Sequence, residues 1–300
     1  MTMNDSGISV VIPTYRREEV LLQTIGHVLQ LQPPPAEIIV VDQTEEHAVS
    51  TAAALKALST EGKIRLISLS KPSITHAMNV GLLEAKEDVV LFLDDDVVPD
   101  KALAAAHLNA HAEGCNIIAG RVLQPGDEPA ADDYSGVFRF CSNQRRFVDE
   151  FVGCNFSVKR KTTLALGGFD ENFVHVAYRY EAEFADRALS SGEKILFEPA
   201  AGIHHLKVSG GGTRSFGDHL RTVRPSHSVG EYYYLMRSGR AAHRLAKMAV
   251  RPLRAVRTRH HLHNPWWIPL TLAAELLGLI WAVVLFLKGP KYIIPAGGTK

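Results

Sequence analysis

The chain has 300 residues, 46% of them apolar, with a formal net charge of +1. That is room for one large domain, or one domain with an appendage, and it excludes a low-complexity or disordered protein. The three cysteines, Cys115, Cys141 and Cys154, lie far apart, which excludes a CxxC metal knuckle or disulfide framework and fits a reducing compartment.

The N-terminal MTMNDSGISV has no basic stretch followed by an apolar run, so no signal peptide is expected. Short apolar runs then recur at Ile8–Ile12, Ile38–Val41, Ile64–Leu69 and Val89–Leu93. They read as strands covered on both faces. Helical spacing fills Val20–Leu31 and Ala48–Leu58, and Ser73 or Thr75 can cap a helix reaching about Lys86. Such alternation predicts a parallel, right-handed α/β sheet whose ligands bind beyond the carboxyl ends of its strands. Pro13–Arg17, Asp42–Thr44, Ser70–Pro72 and Asp94–Asp96 are therefore expected along one edge. The second half is less regular: Asn155–Val158, a helix near Glu181–Ser190, a strand near Ile195–Phe197 and a glycine-rich loop at Ser209–Thr213.

The tail has another character. Residues 231–300 hold eleven Lys and Arg against two acids, Glu231 and Glu275, a local +9 that leaves −8 for residues 1–230. Arg237, Arg240, Arg244, Lys247, Arg251 and Arg254 fall on one helical face, which Pro252 is expected to interrupt or kink. Trp266–Leu287 is a 22-residue apolar run whose only charge is Glu275. As a helix it would reach roughly 30 Å, one hydrocarbon core. Basic stripe, paired tryptophans and apolar run together predict attachment to an anionic membrane surface, with the body on the cytoplasmic face. Glu275 argues against a span; a span, a helix lying in the interface and one packed on the catalytic domain or a second subunit all stay open. The basic segment has few interleaved aromatics, so nucleic acid is not expected.

The stretch VVLFLDDDVVPD runs five apolar residues into three carboxylates. Acids at a ligand-binding edge suit a hard divalent cation, Mn²⁺ or Mg²⁺, which in turn recruits a diphosphate. Asp94 and Asp96 should point one way and Asp95 the other. The plainer reading is a solvated turn.

Neighbouring motifs favour the metal. The chain resembles the family 2 inverting glycosyltransferases, which have the GT-A fold, over roughly residues 7–215. The resemblance rests on VVIPTYRR, IIVVDQT, KPSITHAMNVGLLEA, LFLDDDVVP, GCNFSVKR, GGFDENF, YEAEFADRALSSG and PAAGIHHLKVSGGGTR, in that order. It implies a GT-A α/β domain over 1–220, a basic helical segment over 221–264 and an apolar, membrane-associated helix and tail over 265–300. It also implies transfer of a hexosyl group, with inversion, from a nucleoside diphosphate sugar to a saccharide or lipid-linked hydroxyl, in surface polysaccharide or glycolipid synthesis. The implied donor contacts are Pro13, Thr14, Tyr15, Arg17, Asp42, Lys71, Asn79, Asp94 and Asp95. Asp94, Asp96 and His205 would hold the metal, with His204 in reserve, and Glu181 would be the base. An Asp42 carboxylate accepts from the imino N–H of uracil, thymine or guanine, which points to UDP, dTDP or GDP donors. Tyr180 and Met78 depart from the pattern, standing where an acid and an arginine are usual. Lys71 or Arg214 would then supply the missing cation. A homo-oligomer remains open. So do a nucleotidyltransferase and a non-catalytic carbohydrate-binding scaffold at the membrane.

Overall fold

In the computed structural model the first apolar runs become β1 (Ile8–Thr14), β2 (Glu37–Asp42), β3 (Arg65–Ser68) and β4 (Val89–Leu93). They lie in the order β3-β2-β1-β4, all parallel, linked by α1 (Glu19–Val28), α2 (Val49–Thr60) and α3 (Ile74–Glu84). The structure describes residues 7–129, 138–216, 222–238 and 244–293, apart from the residue 214 side chain. Arg240 and the Arg214 side chain, both named above, fall outside the described residues.

Period-two alternation sorts the strand residues between two cores. Val11, Ile39, Val41, Val90 and Phe92 face one side, with Phe156, Phe169 and Phe184. Val10, Ile12, Ile38, Val40, Leu91 and Leu93 face the other, against Leu21 and Ile25 of α1. Ser73 caps α3 by accepting from the His76 N–H.

Beyond β4 the sheet turns mixed. β5 (Val97–Pro99), α4 (Leu103–Ala112), β6 (Ile117–Leu123), β7 (Arg146–Val148), β8 (Asn155–Lys159), α5 (Arg160–Ala165), α6 (Tyr180–Ser190) and β9 (Ile195–His205) follow. Only β6 and β9 pair in parallel here; β4–β8, β6–β8, β5–β9 and β7–β9 are antiparallel. The first four strands are parallel, as expected; the link Asp94–Asp96 is too short for a crossover helix, so β5 pairs with the distant β9 instead. α4 is tied to β8 through a buried polar chain. Ser157 Oγ lies 2.8 Å from His107 Nδ1 and 2.7 Å from His111 Nε2. Burial pushes the two imidazoles down to about 3 and about 4, so both are neutral.

The tail forms α7 (Ser228–Arg237), α8 (Arg244–Val256), α9 (Arg259–His263) and α10 (Trp267–Lys288). α7 falls in the segment expected to be a basic appendage, yet its Tyr232 and Tyr233 are fully buried in the main core. α10 packs on α7 and α8 and buries Thr271, Ala274, Glu275, Gly278, Ala282 and Leu285. At the crossing a Cβ on Gly278 would overlap Ser228, so only glycine allows this approach. The opposite face is bare: Leu276, Leu277, Ile280 and Leu287 are more than half exposed. Glu275 points inward to Arg251, with Nε–Oε2 2.9 Å and Nη2–Oε1 3.1 Å. That pairing is how an acid is tolerated in an apolar helix. Pro252 lies within α8, which runs on past it to Val256. Lacking an N–H, it leaves the Met248 carbonyl without its intrahelical partner.

Candidate active site

The corner is assembled by strand register. β5 and β9 pair with Val97 opposite His205, and Leu206 N–H donates to the Asp96 carbonyl at 2.9 Å. A residue 109 positions later in the chain is thereby set beside the acid turn. His205 Nε2 stands 3.1 Å from Asp96 Oδ1 and 3.8 Å from Asp94 Oδ2. Its Nδ1 lies 3.1 Å from Gln124 Oε1, which favours a proton on Nδ1 and leaves Nε2 facing the acids. One ligand atom from each of Asp94, Asp96 and His205 lies within 4.8 Å of the others. His204 faces away, exposed.

Asp95 turns the other way, as alternation requires. Its oxygens take Thr14 Oγ1 at 2.7 Å and Arg17 Nε at 3.0 Å. Arg17 is the positive charge among the three carboxylates. It also donates from Nη2 to Asp96 Oδ2 at 3.2 Å, and from Nη1 to the Val208 and Gly210 carbonyls. Burial pushes the Asp95 carboxyl up to about 7, while Arg17 pulls it back. Burial also works against the Asp96 charge. When His205 Nε2 also carries a proton, its hydrogen bond and charge, with the Arg17 charge and the Val208 N–H, outweigh burial and hold that carboxyl below its usual range. Asp94 is the open member of the set, with its side chain 36% exposed against 2% for Asp96.

Two clefts meet at this corner. The first encloses about 120 Å³ and is lined by Pro13, Thr14, Tyr15, Arg17, Gln43, Asp94–Asp96, His205 and Phe216. The second is lined by Glu181, Tyr180, Tyr178, Gly153 and Gln124. Asp94, His205, Ile74 and Thr213 line both.

Glu181 opens α6 after a backbone in which His175, Ala177 and Arg179 all have positive φ, at 57°, 47° and 74°. Non-glycine residues rarely adopt that region, so the approach to Glu181 is strained. Gly153 is required opposite: a Cβ there would strike the Tyr180 hydroxyl and come within 3.0 Å of Glu181 Oε1. Burial pushes the Glu181 carboxyl up to about 7, and the Asp94 charge adds to the shift; backbone N–H groups only partly offset it. A carboxylate at that value suits proton abstraction at neutral pH. Glu183 serves the structure instead, pairing with Arg187 at 2.9 Å while Arg187 donates to the Leu166 and Gly168 carbonyls.

Three expected donor contacts lie outside the first cleft. Asn79 is 1% exposed, and its amide is spent on the Phe169 backbone and Glu171. It positions the Gly167–Phe173 loop, so its assignment as a donor contact is corrected. Asp42 is 5% exposed, with the Thr44 N–H on Oδ1 at 2.9 Å and His47 Nε2 on Oδ2 at 2.8 Å. Its neighbour Gln43 lines the cleft. Lys71 is exposed over an adjoining hollow with His175 and Trp281. Met78, where the resemblance has an arginine, is buried in the core. Two cleft residues, Phe216 and His175, escaped the sequence reading. Phe216 stacks on Tyr15 with ring centroids 6.2 Å apart and on His175 at 5.1 Å. Gln43 adjoins a flagged acid; no sequence signal marks Phe216 or His175.

The sequence profile of glycosyl transferase family 2 matches residues 9–166. No curated protein sequence matches significantly. Among solved structures, GalNAc-T7 with UDP, GalNAc and Mn²⁺ superposes with TM-score 0.56 at 17% identity, covering 68% of this chain and 44% of that one. The mannosyltransferase PcManGT from Pyrobaculum calidifontis, in complex with GDP-Man and Mn²⁺, superposes with TM-score 0.57 at 18% identity, covering 95% of this chain and 79% of that one. The chain thus spans less than half of the first and about four fifths of the second. These likenesses establish the GT-A-like fold. With the profile match over more than half of its length, the chain belongs to glycosyl transferase family 2.

Proposed function

We propose that the protein transfers a sugar from a nucleoside diphosphate sugar to a hydroxyl acceptor, with inversion and in a metal-dependent reaction. The observation that carries this reading is the meeting of two clefts at Asp94 and His205, one bordered by the acid turn and the other by Glu181. A donor lies in the first cleft and an acceptor in the second. Glu181 takes the proton from the acceptor hydroxyl as oxygen attacks the anomeric carbon from the face opposite the leaving group. A single base on the acceptor side supports inversion. Both solved structures named above contain Mn²⁺ with a nucleotide or nucleotide sugar.

Asp94, Asp96 and His205 fit a divalent cation. Two carboxylates and an imidazole form a donor set suited to Mn²⁺, and carboxylates also suit Mg²⁺. When bound, such an ion supplies charge stabilisation to a departing diphosphate. The chain's own contribution is to hold the ligands. Arg17 and the Val208 N–H orient Asp96, Gln124 fixes the His205 tautomer, and Thr14 with Arg17 keeps Asp95 turned away. With the Asp42 carboxylate already engaged, UDP and GDP donors are favoured by the nucleotides in those two solved structures, and a dTDP donor has no such support.

The bare apolar face of α10 supports attachment in the plane of a membrane at its cytoplasmic face, with acceptors in surface polysaccharide or glycolipid assembly. The test offers the purified protein a panel of nucleotide sugars with Mn²⁺ or Mg²⁺. Nucleoside diphosphate release that needs both metal and acceptor, with an inverted anomeric centre in the product, is expected. Metal-independent binding with no release from any donor would refute the reading.

A further inference from the structure

His47 lines neither cleft, and its side chain is only 8% exposed. Each of its ring nitrogens faces a carboxylate. Nε2 stands 2.8 Å from Asp42 Oδ2 at the end of β2, and Nδ1 stands 3.2 Å from Glu18 Oε1 just before α1. Carboxylates only accept, and a neutral imidazole has one N–H to give. Two such contacts need an imidazolium. Burial opposes that charge, but the hydrogen bonds and charges of Asp42 and Glu18 outweigh it and raise the His47 pKa above its ordinary value. These two are the charged groups that face the ring; from α2 and its start, Thr51 and the Ala48 N–H meet Glu18 instead.

The bridge closes around the loop that leaves β1. The other Asp42 oxygen accepts the Thr44 N–H at 2.9 Å, and Thr44 Oγ1 accepts the Arg16 N–H at 2.8 Å. Arg16 has φ 54°, a conformation that non-glycine residues rarely adopt and that needs holding. Residues 15–18 are thus pinned twice, at Arg16 through Thr44 and at Glu18 through His47. Tyr15 and Arg17, on either side of Arg16, line the first cleft, and Arg17 reaches the acid turn.

We infer that His47, as an imidazolium, is a positioning residue for the nucleotide: by tying Glu18 to Asp42 it fixes the loop that carries Tyr15 and Arg17. A neutral ring keeps one partner and turns a lone pair toward the other. Because the folded pKa is raised, the clamp is whole at low pH and is lost as pH rises through that value. That loss runs opposite to the acid loss expected from Glu181, so the two are separable. The inference rests on the transferase reading for the occupant of the first cleft; the ion bridge itself does not.

The test uses the full chain with saturating Mn²⁺ and either UDP or GDP, by calorimetry at about pH 6 and about pH 8.5. His47→Gln is compared with the native protein at each pH, so that titration of the metal ligands and the phosphates cancels in the ratio of affinities. The native protein should bind about tenfold more tightly at the lower pH and nearly equally at the higher. A side chain needed only for folding would give a ratio that does not change with pH. Thr44→Val should lose the same advantage while the His47 ring, followed by NMR without metal, still titrates above its ordinary value. A pH-independent ratio, native affinity in Thr44→Val, or a ring that titrates at or below the ordinary value would overturn the inference. Failure of both nucleotides to bind at either pH would remove the transferase reading and the inference with it, whereas binding with a constant ratio removes the inference alone.

Discussion

Glu181 and Glu275 are both acids on helices, both withdrawn from bulk water, and their surroundings make them opposites. Glu275 is gripped by Arg251 through two contacts and faces the packed side of α10. Glu181 is supported by backbone N–H groups and the Arg179 charge, lies toward Asp94, and borders a cleft. The same contrast divides the acid turn: Asp95 is neutralised by Arg17 and Thr14, while Asp94 stays open. An acid whose charge is already matched holds the structure together. One that faces a cleft is available for chemistry.

The largest effect should come from Glu181→Gln. It keeps the shape and removes the base, so kcat should fall by about 10²–10⁴-fold while calorimetric donor affinity holds. Turnover at the native rate would take Glu181 out of the mechanism. Asp96→Asn should weaken metal-dependent donor binding by at least about a hundredfold, measured by titration with Mn²⁺. Retained affinity would place the ion elsewhere.

On the matched side, Arg251→Ala strands the Glu275 charge and should destabilise the fold by about 3 kcal/mol, read from chemical denaturation. Replacing both partners with Leu and Met should cost much less, because no orphan charge remains. A double variant as unstable as Arg251→Ala would show that the pair does more than cancel itself. The pH dependence sharpens the contrast further. The Glu181 carboxyl is raised, so the active carboxylate is lost as pH falls, and kcat should drop below about pH 7. The Asp94 charge contributes to that elevation, so saturating Mn²⁺ should move the limb to lower pH. A limb indifferent to metal would separate the two groups. The smallest effect belongs to Lys71→Ala: an exposed, screened cation should change donor affinity by less than about threefold.

Much of the nucleotide-binding half was legible because its signals are local. Continuous apolar strands, the Ser73 cap and the acid turn each act within a few residues, and the structure shows the elements where those signals put them. His205 was readable only as the better of two adjacent histidines; the β5–β9 register brings it to Asp96. Asn79 shows the reverse failure. A motif position pointed to the ligand edge, but its amide is consumed by the Phe169 backbone. The basic stripe holds over Arg244, Lys247, Arg251 and Arg254 of α8, whereas Arg237, expected on the same face, ends the separate helix α7. Which way the stripe faces was not legible.

Sequence alone settled the class of the sheet, the family and the placing of acids at a strand end, because hydrophobic period and short motifs are properties of neighbouring residues. Tertiary structure decided which carboxylates are spent and which are open, that Arg17 sits among the three, and that α10 covers α7 with one face and leaves the other bare. Those outcomes depend on partners far away along the chain, and a charge acquires its role only when its nearest opposite charge in space is known.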